Sequence, residues 1–203
     1  MKIICVGRNY PAHALEMKSE VPTEPVLFMK PKTALLQPGQ PFYYPEFTDE
    51  LHYECELVLR ICKNGKQIPA TTAHHYYDKI TVGIDFTARD LQAKQKAKGL
   101  PWEIAKSFDN SAVVGSFQEI SSILDRNEIN FCLYHNRQIV QQGNSKDMLF
   151  TFDELLVYIT RFFSINIGDL IFTGTPAGVG PVNPGDKMEA FIENDSLLEF
   201  DVR

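Results

Sequence analysis

His52-Tyr53-Glu54-Cys55-Glu56-Leu57-Val58-Leu59-Arg60-Ile61 reads as the clearest β-strand in the chain, with apolar residues filling its second half. Strand side chains alternate between faces with period two, so His52, Glu54 and Glu56 fall on one face and Tyr53, Cys55 and Leu57 on the other. The glutamate face continues into Val58, which turns it toward an interior. Two carboxylates at neighbouring same-face positions repel each other unless a positive charge lies between them. A hard divalent cation, which prefers carboxylate oxygens, meets that need. Taken alone, the pair fits a solvated edge strand at least as well.

Outward from this strand, Ile80 to Phe86 reads as a second strand carrying Asp85 in an apolar setting, where an unpaired carboxylate is costly. A helix over Ala88–Lys98 follows, ended by Gly99 and Pro101. If it starts near Thr87, Arg89 and Gln92 share a face. An N-cap role for Asp85 is the competing reading. Upstream, Lys2 to Val6 forms a short buried strand broken by Gly7-Arg8-Asn9-Tyr10-Pro11. Pro11 opens a helix over Ala12 to Met17. There His13 and Glu16 stand three apart and can touch, a pairing that orients an imidazole and raises its basicity. A surface His–Glu pair is the plainer alternative.

Lys106, in Trp102-Glu103-Ile104-Ala105-Lys106-Ser107-Phe108, stands among apolar residues, suited either to hold a carboxylate or oxyanion or simply to snorkel. Thr173-Gly-Thr-Pro-Ala-Gly-Val-Gly180 is a glycine loop whose N–H groups can point at an anion. It lacks the Gly-Lys-Ser/Thr of a P-loop.

Elsewhere, Ser19 to Tyr44 reads as proline-rich irregular β structure, and Thr71 to Tyr77 as a short helix. Ile129–Tyr134 and Gln138–Gln141 pair as a hairpin around Asn136. Thr151-Phe-Asp-Glu154 is a capping box before a helix with Leu155, Leu156, Ile159, Phe162 and Phe163 at helical spacing. Asp169 to Thr173 is a strand, Gly174 to Gly185 a long loop, and Met188–Ile192 with Leu197–Val202 a closing hairpin. Strands outnumber helices and few strand–helix–strand units occur. The expected class is α+β with a mainly β core, as one domain over residues 1–203.

The formal net charge of −6 argues against a nucleic-acid partner, which needs a field of Lys and Arg. The apolar run at the N-terminus is too short for a signal segment, and no stretch approaches the roughly 20 apolar residues of a membrane span. These observations predict a cytoplasmic protein without a membrane partner. Cys5, Cys55, Cys62 and Cys132 form no CxxC pair and are expected to be reduced core residues.

Six stretches together resemble the fumarylacetoacetate hydrolase family. They are Val6-Gly-Arg-Asn-Tyr10 with His13 and Glu16, Phe28-Met-Lys-Pro31, His52-x-Glu54-x-Glu56, Asp85-x-Thr-Ala-Arg-Asp-x-Gln92, Gly99-Leu-Pro-Trp-x-x-Ala-Lys-Ser-Phe108 and Gly174-Thr-Pro-x-Gly-Val-Gly180. The similarity is closest to the short acylpyruvase and oxaloacetate decarboxylase branch. It implies a mixed β-roll with a few short helices, a homodimer, and a lid over about residues 8–20. Glu54, Glu56 and Asp85 would bind Mg²⁺ or Mn²⁺. His13 and Glu16 would activate water, Lys106 would stabilise an oxyanion, and Arg89, Gln92, Thr175 and Arg8 would face a 2-oxo acid substrate. Tyr53 and Cys55 differ from what relatives often carry, but lie on the opposite strand face from the glutamates.

The implied reaction is hydrolysis of a C–C bond in acylpyruvates such as fumarylpyruvate or acetylpyruvate, giving pyruvate and a carboxylate. Decarboxylation of oxaloacetate, or isomerisation, at the same site is the alternative. A non-catalytic 2-oxo-acid-binding protein is the alternative of another class.

Overall fold

The computed structural model describes residues 1–203. Three sheets organise it. The largest runs, in spatial order, Val26–Lys30, Ile3–Gly7, Leu170–Phe172, Cys55–Ile61, Tyr77–Asp85 and Ala112–Val114, with Gln118–Glu119 also pairing on Tyr77–Asp85. Ile3–Gly7 is parallel to Leu170–Phe172, and the other pairs are antiparallel. A second sheet contains Gln138–Asn144, Asn130–His135, Lys187–Ile192 and Asp195–Asp201. The third is small: Gly180–Pro181, Leu51–Tyr53 and Thr87–Ala88. The helices are Pro11–Glu16, Arg89–Lys98, Glu103–Lys106 and Phe152–Phe162. This is the expected mixed, mainly β architecture with few short helices. No helix is long and apolar enough to cross a membrane.

Alternation in the largest sheet makes two unequal faces. Ile4, Val6, Leu57, Leu59, Ile80, Val82 and Ile84 join the main core. Ile3, Cys5, Val58, Leu170 and Phe172 form a smaller apolar patch on the other face. Glu56 shares the parity of Val58, and Asp85 has the parity opposite to Ile84, so both carboxylates belong to the smaller face. Register then brings them together: Glu56 pairs with Gly83, and Asp85 lies two residues further along the same strand. Such a diagonal neighbour is within reach of a side chain.

Several expectations hold at residue level. Pro11 is the first residue of its helix, Gly99 ends Arg89–Lys98 in the left-handed conformation at φ 63°, and Thr151 with Glu154 forms the capping box. Asn136 and Arg137 both take positive φ at the hairpin turn. No disulfide forms. Cys5 and Cys55 are buried, whereas Cys62 and Cys132 are only partly so.

Other expectations need correction. His52 to Ile61 is not one strand: it breaks at Glu54 into Leu51–Tyr53 and Cys55–Ile61, which belong to different sheets. The alternation therefore resets, and His52 does not share the face of Glu56. It lies near Glu50, with Nε2 3.4 Å from Oε1. The segment Ser19 to Tyr44 holds one regular strand, Val26–Lys30, and a 3₁₀ turn at Lys32–Ala34. Ala70–His75 is likewise 3₁₀, and the long loop after Gly174 is interrupted by Gly180–Pro181 pairing with His52 and Tyr53. Ala88, not Asp85, is the N-cap of the helix that follows.

Gly83 lets the strands that carry Glu56 and Asp85 sit close. A Cβ there would meet the Val113 carbonyl oxygen and Val58 Cγ2, each at 2.8 Å, and the Phe172 ring at 3.0 Å. Gly83→Ala is expected to lower unfolding free energy by about 1–3 kcal/mol, the scale of overpacking. Chemical denaturation measures this; an unchanged midpoint would show that the sheet relaxes at no cost.

Candidate metal centre and active-site cleft

Glu54, Glu56 and Asp85 are all buried, and each offers an oxygen within 4.8 Å of those of the other two. The break at Glu54 aims its carboxylate at the same point as Glu56, while its own carbonyl accepts the Asp85 N–H at 2.8 Å. That hydrogen bond ties the two carboxylate-bearing segments together at the sheet end.

Three cations surround these acids. Lys106 Nζ lies 2.8 Å from both Glu54 Oε2 and Asp85 Oδ2. Arg89 donates to the other Glu54 oxygen at 2.7 Å and to Gln92 Oε1 at 2.8 Å. Lys30, whose side chain is fully buried, pairs with Asp85 Oδ1 at 2.7 Å. It also donates to the Lys106 carbonyl and, at 2.9 Å, to Ser111 Oγ, fixing the segment that presents Lys106. Glu56 is the exception. It has no ion pair, and its Oε2 accepts the Gly174 N–H at 2.8 Å.

The electrostatics follow from this distribution. Burial pushes the Glu56 carboxyl well above the usual glutamate range, and the charges of Asp85 and Glu54 push it in the same direction. Burial also disfavours the charge of Glu54, but Lys106 and Arg89 outweigh it and hold that carboxyl well below its usual range. Burial opposes the Lys106 charge, yet Asp85 and Glu54 prevail and raise its pKa, so the ammonium persists.

A divalent cation fits this donor set. It is all oxygen, it is enclosed, and one member, Glu56, lacks a countercharge. Each ionised carboxylate oxygen has two lone pairs, so Glu54 and Asp85 can keep their cations and still ligate.

The cleft above the acids is lined by His13, Arg89, Gln92, Lys106 and Thr175, with Arg8 and Lys96 also contributing. His13 is buried, and its Nδ1 lies 3.0 Å from Glu16 Oε2. An ionised carboxylate only accepts, so Nδ1 carries a proton toward Glu16, and in the neutral imidazole Nε2 is the nitrogen with the free lone pair. The other Glu16 oxygen accepts the Gly178 N–H at 3.0 Å, which joins the helix Pro11–Glu16 to the glycine loop. The anions received by that loop are thus the side chains of Glu56 and Glu16.

Thr175 lines the cleft with its hydroxyl already engaged, donating to the Cys55 carbonyl at 2.8 Å and accepting from Gln141 Nε2 at 2.9 Å. Arg8 reaches the cleft from a left-handed backbone, φ 61°. All ten residues singled out from the sequence therefore meet at one place.

Three contributors carried no role in the sequence reading. Lys30 had the same signal as Lys106, a lysine within an apolar run, Val26-Leu-Phe-Met-Lys30. Asn9, fully buried, donates to the Thr173 carbonyl at 2.8 Å and accepts from the Phe150 N–H at 2.9 Å, anchoring the loop before the helix Pro11–Glu16. Gln141 accepts from the Cys55 N–H at 2.9 Å. These last two act through backbone groups far away in sequence and leave no local pattern.

Comparison with known proteins agrees with this architecture. The chain belongs to the fumarylacetoacetate hydrolase family: residues 2–203 match the family model for the fumarylacetoacetate hydrolase C-terminal domain. It is 40% identical over 201 residues to the mitochondrial oxaloacetate tautomerase FAHD1 of Mus musculus, covering 99% of this chain and 91% of that one. Its fold is similar to fumarylpyruvate hydrolase from Pseudomonas aeruginosa in complex with Mn²⁺ and pyruvate. There the TM-score is 0.93 at 37% identity, over 100% of this chain and 89% of the other. A 5-carboxymethyl-2-hydroxymuconate delta-isomerase from Mycobacterium smegmatis is similar at a TM-score of 0.85 and 34% identity, over 99% and 78%. The chain is thus a member of an enzyme family whose relatives include tautomerases, hydrolases and isomerases.

Because Glu56 retains its proton above the ordinary carboxylate range, a metal ion must displace that proton. Affinity for Mn²⁺ is therefore expected to rise with pH through the elevated Glu56 pKa and fall as pH drops below it. Calorimetric titration in buffers of different ionisation enthalpy should record proton release on binding, which Glu56→Gln removes along with most of the affinity. Binding that releases no proton would contradict the assignment.

Proposed function

We propose that this chain catalyses proton transfer beside the keto group of a 2-oxo acid, interconverting keto and enol forms of oxaloacetate, with a divalent cation, Mg²⁺ or Mn²⁺, on Glu54, Glu56 and Asp85. The observation that carries this reading is His13 on the cleft wall, its Nδ1 held by Glu16 and its Nε2 free to take a proton, in the same cleft as a buried acidic triad. The likeness to oxaloacetate tautomerase over nearly all of both chains supports it.

When bound, the cation would act as a Lewis acid on the 2-oxo group and its neighbouring carboxylate. His13 takes the C3 proton through Nε2, and Glu16 stabilises the imidazolium that forms. Lys106, kept charged by Glu54 and Asp85, donates a hydrogen bond to the oxygen on which negative charge develops. His13 Nε2 then gives that proton to the oxygen, completing the enol and restoring the neutral imidazole; the reverse sequence returns the ketone. Arg89 and Gln92, bonded to each other at 2.8 Å, shape the wall that orients the substrate. The helix Pro11–Glu16, with flanking residues of about 8–20, serves as a lid that excludes bulk water.

Hydrolysis of an acylpyruvate is a second reading, supported by the likeness to fumarylpyruvate hydrolase. There His13 would take its proton from water instead of C3, and the rest of the site would act alike. Homodimerisation and a cytoplasmic location remain part of the proposal.

The decisive assay follows decay of the oxaloacetate enol by ultraviolet absorbance, and pyruvate release from acetylpyruvate and fumarylpyruvate, with Mn²⁺ or with chelator. Turnover is expected with metal and none with chelator. His13→Ala should lower kcat by about 10²-fold or more, the scale of general-base catalysis, with metal affinity retained. Equal rates in His13→Ala and the parent protein would remove His13 from the reaction.

A further inference from the structure

The cations of the cleft fall into two groups. Lys30, Lys106 and Arg89 are inner, each in an ion pair with Glu54 or Asp85. Arg8 and Lys96 are outer. Both line the same cleft, and no acidic side chain pairs with either. They come from different parts of the chain, Arg8 just before the lid helix and Lys96 in the last turn of Arg89–Lys98.

Lys96 is exposed as a residue, but its ammonium lies over the Trp102 ring, 5.5 Å from the centroid, at the cleft wall. Loss of hydration and then the charges of Arg8 and Arg89 lower its pKa to about 8. Its surroundings are thus cationic, with Glu54 and Lys106 the other charged groups acting on it. Two like charges facing one cleft without an acid between them are held at an electrostatic cost, which an anion would relieve.

Lys30, Lys106 and Arg89 each already have a carboxylate partner in Glu54 or Asp85, whereas Arg8 and Lys96 have none. A 2-oxo acid held at the acids by its keto group and its only carboxylate leaves Arg8 and Lys96 unmatched.

We infer that Arg8 and Lys96 form a subsite for a second carboxylate, at the end of the substrate remote from the keto group, and that the cleft selects 2-oxo dicarboxylates over 2-oxo monocarboxylates. The inference rests on the 2-oxo-acid reading above and deepens it. Trp102 positions the Lys96 stem and supplies an apolar wall beside the substrate chain. Arg8 offers a planar fork suited to bidentate carboxylate binding.

The test compares Lys96→Met, Lys96→Arg and Arg8→Gln with the parent protein in two assays. The first measures binding in the presence of Mn²⁺ by calorimetry, using 2-oxoglutarate and 2-oxopentanoate, which differ by the distal carboxylate and do not require turnover. The second measures kcat/KM for fumarylpyruvate and acetylpyruvate.

Lys96→Met and Arg8→Gln should each reduce the dicarboxylate-to-monocarboxylate ratio about tenfold or more, the scale of one charge-assisted hydrogen bond, mainly through Kd and KM. Lys96→Arg should restore most of the selectivity, which a purely structural role on Trp102 would not require.

A parent protein that binds both members of each pair equally, or variants that lose both equally, would overturn the subsite. A selective binding loss without turnover of any 2-oxo acid would uphold the subsite and sink the catalytic reading. Turnover without selectivity would do the reverse.

Discussion

The structure depends on keeping three carboxylates out of water at one end of a β-sheet. Burying an unpaired charge is prohibitive, and even a paired one is costly unless its remaining lone pairs find partners. Here Lys30, Lys106 and Arg89 supply the charge, and the geometry that delivers them occupies much of the chain: the edge strand Val26–Lys30, the short helix Glu103–Lys106 and the start of Arg89–Lys98. Glu56 is left with a backbone N–H alone, and that imbalance makes the place a site for a cation.

A second layer of contacts holds His13 on the wall of the cleft that contains the acids. Glu16 is shared between His13 and Gly178, so one carboxylate both orients the imidazole and fastens the helix to the glycine loop. Asn9 binds the backbone of Thr173, where that loop begins, and of Phe150, and Gln141 with Thr175 fixes the loop against the strand carrying Glu56. The helix Pro11–Glu16, the glycine loop and the strand carrying Glu56 are thereby joined through hydrogen bonds.

The relatives named above include a tautomerase, a hydrolase and an isomerase. For the reaction proposed here, fixed positive charge near the developing oxyanion is the feature that matters. Beyond the acids, Arg8 and Lys96 line the same cleft without an acidic partner, and the inferred preference for dicarboxylates rests on them.

The sequence by itself singled out the residues that the structure gathers in one cleft. Carboxylates at Glu54, Glu56 and Asp85 and a lysine at 106 are conspicuous in apolar runs because burial makes each one expensive, and His13 with Glu16 is legible because a helix fixes the distance between positions three apart. The helix ends and hairpin turns were legible as well, since capping and positive φ are settled by neighbouring residues. Only the tertiary structure decided that the strand breaks at Glu54, for the chain there passes from one sheet to another and the pairing partners lie far off in sequence. Only it matched Lys30 to Asp85, Arg89 to Glu54 and Glu16 to Gly178, and left Arg8 and Lys96 without an acid. Charge pairing depends on separations of a few ångströms between segments up to 162 positions apart, and no local pattern records them.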